Sequence, residues 1–332
     1  MASPLRRQCI GLGLSELELD APSRLAKRLQ HGDHDGLGHA DPLAYIAYVL
    51  LHCRVRGIIR LLHPDAVGLV GALSKLGAVP LSRRDYRSLV ALHTEPEHRH
   101  RIAVLRHLTH IPRQRIPIIL ALPAPYLSLP VLQRVASVDQ ALDFERSIEL
   151  IRRVIPTITD DELVRSLTAL KPSTSIREWT RRWISKATQF WQPAPIFDPD
   201  EMIVLRDAAT MRDAAKRFEN CLEHKVAHCA LGRVLFVEYL PGSCIIELEC
   251  LATGWIFEGV YGPQNTAVDP ETIRQVVQKL GAAGVHVRAS HMQASRYNRV
   301  ARLAGALDLF RDDIDLINDD LDDLAQEFAD AA

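Results

Sequence analysis

The chain has 332 residues, 47% of them hydrophobic, and a formal charge of −1 at pH 7, the make-up of a globular protein with one large domain or two ordinary ones. No apolar run reaches the roughly 18 residues that span a bilayer, and MASPLRRQCIGLGLSELELD turns polar before a signal-peptide core can form, so no membrane contact and a cytoplasmic location are expected. Six irregularly spaced cysteines do not form a secreted disulfide framework and are expected as reduced thiols.

The small net charge conceals an asymmetry. Residues 1–190 carry 27 Lys and Arg against 18 Asp and Glu, residues 191–307 carry 12 against 13, and residues 308–332 carry 1 against 10. A basic first half beside an acidic tail suits a polyanionic partner, an internal match between the two, or two separately solvated surfaces.

In chain order, HGDHDGLGH at 31–39 reads as a glycine-rich polar linker, although His31, Asp33, His34, Asp35 and His39 are also types that ligate metals. Most of residues 20–190 reads as helix, because apolar residues recur at spacings of three and four. Ser82 with Asp85, Ser137 with Gln140, Thr159 with Glu162, and Ser175 with Glu178 mark helix starts by the capping-box pattern. Five prolines in IPRQRIPIILALPAPYLSLP at 111–130 prevent one continuous helix there. No fixed repeat period emerges, though a short array of helical hairpins fits the pattern.

Two basic stretches, 93–115 and 177–191, offer Arg99, Arg101, Arg106, Arg113, Arg115, Arg177, Arg181 and Arg182 to phosphates, with Trp179, Trp183 and Trp191 as possible platforms for bases. Trp179 and Trp183, four residues apart, equally read as one buried helix face.

QPAPIFDPDE after Trp191 holds three prolines and is read as the domain boundary. A helix is expected over about 207–228. RVLFVEYL, SCIIELEC and WIFEGVYG follow, joined by short turns, and predict an antiparallel meander. In the second of these strands Cys244, Ile246, Leu248 and Cys250 share one face, and Ile245, Glu247 and Glu249 the other. Asp269-Pro270 starts a further helix ending near Gly281, and GVHVRAS at 284–290 suggests another strand. The tail places Leu307, Phe310, Ile314, Ile317, Leu321, Leu324 and Phe328 on one seam of an acidic amphipathic helix.

The expected class is therefore α+β: an all-helical domain over 1–191, an α+β domain with a small antiparallel meander over 192–305, and an acidic amphipathic helix over 306–332. The tail seam could close within one chain or join two copies.

ENCLEHKVAHC at 219–229 concentrates chemistry. On one continuous helix, Cys221, His224 and His228 lie within about 60° of one another and could hold a metal, while Cys221 with His224 and Asn265 supplies the types of a thiol mechanism. A packed helix face with a buried cysteine explains the run equally well.

Residues 206–280 resemble the PcfJ-like domain, a family of bacterial proteins of mobile and variable genomic regions for which no activity is established. The resemblance rests on Met211 through Asn220-Cys221, on Gly232-Arg-Val-Leu-Phe, on Ile245-Ile246-Glu247-Leu248-Glu249, and on Gly262-Pro263-Gln264-Asn265 before Asp269-Pro270-Glu271. Asn220 stands where the family usually has His, and Glu258 where it has Gln. The resemblance implies a site of Cys221, Glu247, Glu258 and Asn265. It also implies an accessory or interaction protein of a mobile-element or defence-type system, whose basic half binds a protein or nucleic acid. Two alternatives accompany it: a hydrolase or nuclease-like enzyme at those four residues, without cofactor or with a divalent metal, and an inhibitor whose acidic helix imitates nucleic acid.

Overall fold

The computed structural model describes residues 2–30 and 41–288. The tail expected as a helix with its seam and the histidines and aspartates of 31–39 lie outside these residues. Among the described residues there are fifteen α-helices and one four-stranded antiparallel sheet, an α+β protein. No described helix is long and apolar enough to cross a membrane. The chain divides into two compact units after Lys186.

The first unit is built from twelve helices: α1 (Pro4–Leu17), α2 (Pro22–Leu29), α3 (Pro42–His52), α4 (Val55–Leu62), α5 (Leu69–Ser74), α6 (Arg83–Thr94), α7 (Arg99–Arg106), α8 (Arg115–Ala121), α9 (Leu129–Arg134), α10 (Val138–Val154), α11 (Asp160–Thr168) and α12 (Ile176–Ile184). Ser82, Ser137, Thr159 and Ser175 each accept the backbone N–H three residues on, and Thr159 with Glu162 closes the reciprocal box. These contacts satisfy N–H groups that the first turn leaves without partners. The proline-rich stretch becomes α8, a 3-10 turn at Ala124–Tyr126, and α9, which has Pro130 in its first turn.

α1 packs against each of α2 to α6, and from α5 onward helices pack on their next-but-one neighbours: α6 on α8, α8 on α10 and α10 on α12 along one row, α5 on α7 and α9 on α11 along another. That is a stacked helical array, in which each layer contacts mainly the next. Helix lengths from 6 to 17 residues hide the repetition from any search at one period.

Arginines tie this array together at helix C-termini, where carbonyls lack partners and partial negative charge accumulates. Arg6 donates to Leu50 and Cys53 O at the end of α3, and Arg28 to Leu62 O at the end of α4. Arg101 donates to Ile119, Leu120 and Leu122 O at the end of α8, and Arg115 to Leu132 and Val135 O at the end of α9. Arg134 reaches Lys171 and Thr174 O after α11. Part of the basic excess of this half is thus internal.

The second unit begins before the proline-rich break predicted as the boundary, and hydrogen bonds explain why. Ala208 N bonds to Ala187 O, Phe190 N to Arg206 O, and the Trp255 indole to Pro193 O at 2.9 Å. Ala194 and Phe197 also pack on the second core.

Strands β1 (Met202–Val204), β2 (Val234–Tyr239), β3 (Cys244–Leu251) and β4 (Gly254–Tyr261) lie in the order β1-β2-β3-β4, all antiparallel. The three-residue β1 is too short to leave an alternating pattern. One sheet face, bearing Leu235, Val237, Cys244, Ile246, Leu248 and Phe257, packs on Val276 and Leu280 of α15 (Pro270–Ala282). Asp269 caps α15 as its sequence predicts. The expected strand at 284–290 is reduced, among described residues, to one parallel bridge between Ile256 and His286.

Candidate functional site

The other sheet face carries Phe236, Glu238, Ile245, Glu247 and Glu249, as the alternation of β2 and β3 requires. It meets α13 (Ala208–Phe218) and α14 (Leu222–Ala230). The single helix expected over 207–228 is two helices. α13 ends at Glu219, which adopts the left-handed conformation (φ 51°), and Asn220 Oδ1 then accepts Leu222 N at 3.2 Å to start α14. Asn220, which stands where the expected pattern has His, therefore forms an Asx turn that leads into the N-cap of α14.

This break corrects the metal reading. Cys221 is the N-cap of α14, outside helical geometry, so the rotation that would align it with His224 and His228 does not apply. All three side chains are exposed, and their ligating atoms do not gather within 4.8 Å of one another. Among the described residues that distance is met only by Glu95, Glu97 and His98, where His98 pairs with Glu95 at 3.2 Å.

The four residues implied by the family pattern are likewise spread out. Cys221 is exposed. Glu247 faces α14 and pairs with Lys225 at 3.8 Å. Glu258 is the extra residue of a β-bulge, since Glu247 pairs with Gly259 and Leu248 with Phe257, and it meets Arg288 at 3.4 Å. Asn265 is exposed in a left-handed conformation (φ 59°) beside Gln264 (φ 57°). Cys221, Glu247 and Glu258 do not bring ligand atoms within 4.8 Å of one another either.

A different pair links the break to the Gly-x-x-Asn turn: Gln264 Nε2 donates to Glu219 Oε2 at 2.6 Å. Gly262 is needed in that turn, because a Cβ there would lie 2.7 Å from Thr266 Oγ1 and 3.2 Å from its carbonyl oxygen. Three of the four described non-glycine residues with positive φ, Glu219, Gln264 and Asn265, meet around this contact. Such backbone costs energy and persists only where its surroundings enforce it.

Thiol chemistry is unevenly placed. Burial pushes the Cys229 thiol up to about 12, with the Glu247 carboxylate adding to it, and burial likewise pushes Cys244 up to about 11. Cys9 in the first unit is raised to about 11 by burial. These three are core residues.

The eight arginines proposed for phosphate contact divide by use. Arg101 and Arg115 are occupied by helix-end carbonyls, a correction to their expected role. Arg113 is committed to Asp85 at 2.7 Å, and Arg182 to Glu178 one turn away. Arg99, Arg106, Arg177 and Arg181 are exposed and, among the described residues, have no ion-pair partner. Trp179 is buried with its indole on Ser166 Oγ at 2.9 Å, and Trp183 shares that hydroxyl at 3.3 Å. Neither is an open base platform; Lys186 covers the Trp183 ring at 4.4 Å.

Sequence reasoning missed Arg217 and Glu238, whose guanidinium and carboxylate form two parallel hydrogen bonds. The available signal was an acid in a strand otherwise apolar on both faces.

No protein-family model, curated protein or solved structure matches the chain.

Proposed function

We propose that this chain is a non-enzymatic interaction protein of a bacterial mobile-element or defence-type system, cytoplasmic, with a PcfJ-like second unit and a helical array that engages an anionic partner. One observation carries the reading: Arg177 and Arg181 lie one turn apart on α12, exposed and, among the described residues, without an acidic partner, after the caps and ion pairs have claimed their share. Cations left in water at i and i+4 present one charged face. A cleft of about 430 Å³ opens beside Arg177, lined also by Arg134, Gln140, Ser147, Thr180 and Asp143, the last paired with Arg146 at 3.6 Å, so hydroxyl and amide groups and one ion-paired carboxylate flank the charge. Stacked arrays characteristically offer extended surfaces to macromolecular partners.

Binding of labelled single- and double-stranded DNA and RNA across a salt series tests this. Saturable binding whose log-log salt slope drops by about two in Arg177→Gln/Arg181→Gln identifies nucleic acid at this face. Capture of an acidic protein, lost in the same double variant, identifies a protein partner. Binding that survives the double change refutes the assignment to α12.

A further inference from the structure

A second cleft, separate from α12, opens between α5, α6 and α7 and has a volume of about 290 Å³. Its functional groups come from Lys75 at the end of α5, His93 on α6 and Arg106 on α7; the remaining lining residues, Ile102 and Leu105 among them, are apolar or glycine. Among the described residues no carboxylate lines it. α1 and α8, which also pack on α6, contribute nothing to the lining.

His93 is 7% exposed. Its Nδ1 lies 2.9 Å from Val67 O, and a carbonyl only accepts, so Nδ1 carries the proton. Nε2 is then a buried acceptor, and among the described residues it has no hydrogen-bond partner. Buried nitrogens of this kind are seldom left unsatisfied without a reason.

Gly68 brings the groups together. It adopts φ 90°, and a Cβ there would lie 3.4 Å from an Arg106 Nη and 3.5 Å from His93 Cε1. Among the described residues Arg106 has no acidic partner, while Lys75 Nζ spends one donor on the Arg106 carbonyl at 2.7 Å and keeps two. Two cations and an imidazole thus border an apolar hollow with no counter-ion among the described residues. Burial holds the His93 ring below the usual histidine range against its bond to Val67, and the Arg106 charge adds to the lowering. An anion would offset that charge.

We propose that this cleft binds a small organic acid, its carboxylate or phosphate held by Arg106 and Lys75, its apolar part against Ile102 and Leu105, and His93 Nε2 taking up a proton to donate to it. The volume sits at the small end of ligand pockets, which begin near roughly 300 Å³. The site does not depend on the α12 reading, and the Arg177→Gln/Arg181→Gln chain should retain it.

The test is calorimetric titration of the full chain with inorganic phosphate, propyl phosphate and butyrate at about pH 6 and about pH 8, across the usual histidine range. At least one acid is expected to bind saturably, more tightly at the lower pH, and about tenfold more weakly in Arg106→Gln, the loss of a charge-assisted contact. Preference for propyl phosphate or for butyrate names the head group. The His93 ring resonances, followed by NMR, should titrate at higher pH in the saturated protein. Arg106 is exposed, so its variant should unfold at the wild-type urea midpoint. No saturable heat with any of the three, affinity unchanged in Arg106→Gln, or an unshifted His93 titration would overturn the proposal.

Discussion

Arg217 and Glu238 meet through two parallel hydrogen bonds, with the carboxylate 5% exposed beneath α13 and the guanidinium 55% exposed. The arginine supplies from the rim the charge that a buried carboxylate needs. Removing it leaves a carboxylate in an apolar setting, the costly way to break such a pair. Arg217→Met is therefore expected to cost about 3 kcal/mol in urea unfolding, and Arg217→Met/Glu238→Leu to recover most of that.

Arg101 and Arg115 spend their donors on the carbonyls that end α8 and α9. Replacing either by alanine should destabilise the first unit by about 1.5–3 kcal/mol, the range for hydrogen bonds to a charged group. It should leave the salt slope of any polyanion binding unchanged. A changed slope with unchanged stability would return these residues to the surface.

The first unit should weaken on mild acidification. His63 and His93 are both held below the usual histidine range, in each case chiefly by burial. For His63 the Glu16 carboxylate opposes the effect and the Arg28 charge adds to it. A histidine kept neutral in the folded state binds fewer protons than in the unfolded chain. Its contribution is complete above the unfolded pKa of about 6.5 and is lost as pH falls through that value towards the folded pKa. Melting temperature should decline from about pH 7 to about pH 5, and less steeply in His63→Gln.

Thiol labelling should follow burial. Cys221 is exposed and Cys250 partly so, whereas Cys9, Cys229 and Cys244 are buried, each with a raised pKa. An aromatic disulfide reagent at neutral pH is expected to modify Cys221 first, and those three only with unfolding. Mass spectrometry of the labelled peptides checks the order. Early modification of Cys229 would show that α14 opens readily.

Much of the fold is legible in the residues because its signals are local. The cap at Thr159 needs only Glu162, three residues on, and the faces of β3 follow from alternation alone. The break at Glu219 was not legible: a glutamate in a left-handed conformation carries no marker in the sequence, and Gln264, 45 residues away, holds it. For the same reason the spacing of Cys221, His224 and His228 suggested a shared helix face that the folded chain does not have.

The amino-acid sequence by itself determined the two kinds of architecture, most helix starts, the meander and the unequal distribution of charge, since each depends on periodicity or on partners within about four residues. Only the tertiary structure decided which arginines cap helix ends and which face solvent. Arg115 and Arg177 look alike as residues in basic stretches, and what separates them is the carbonyl of Val135, which the fold brings 2.6 Å from Arg115. An unsatisfied helix end recruits whichever cation the fold places beside it, and sequence spacing alone does not specify that neighbour.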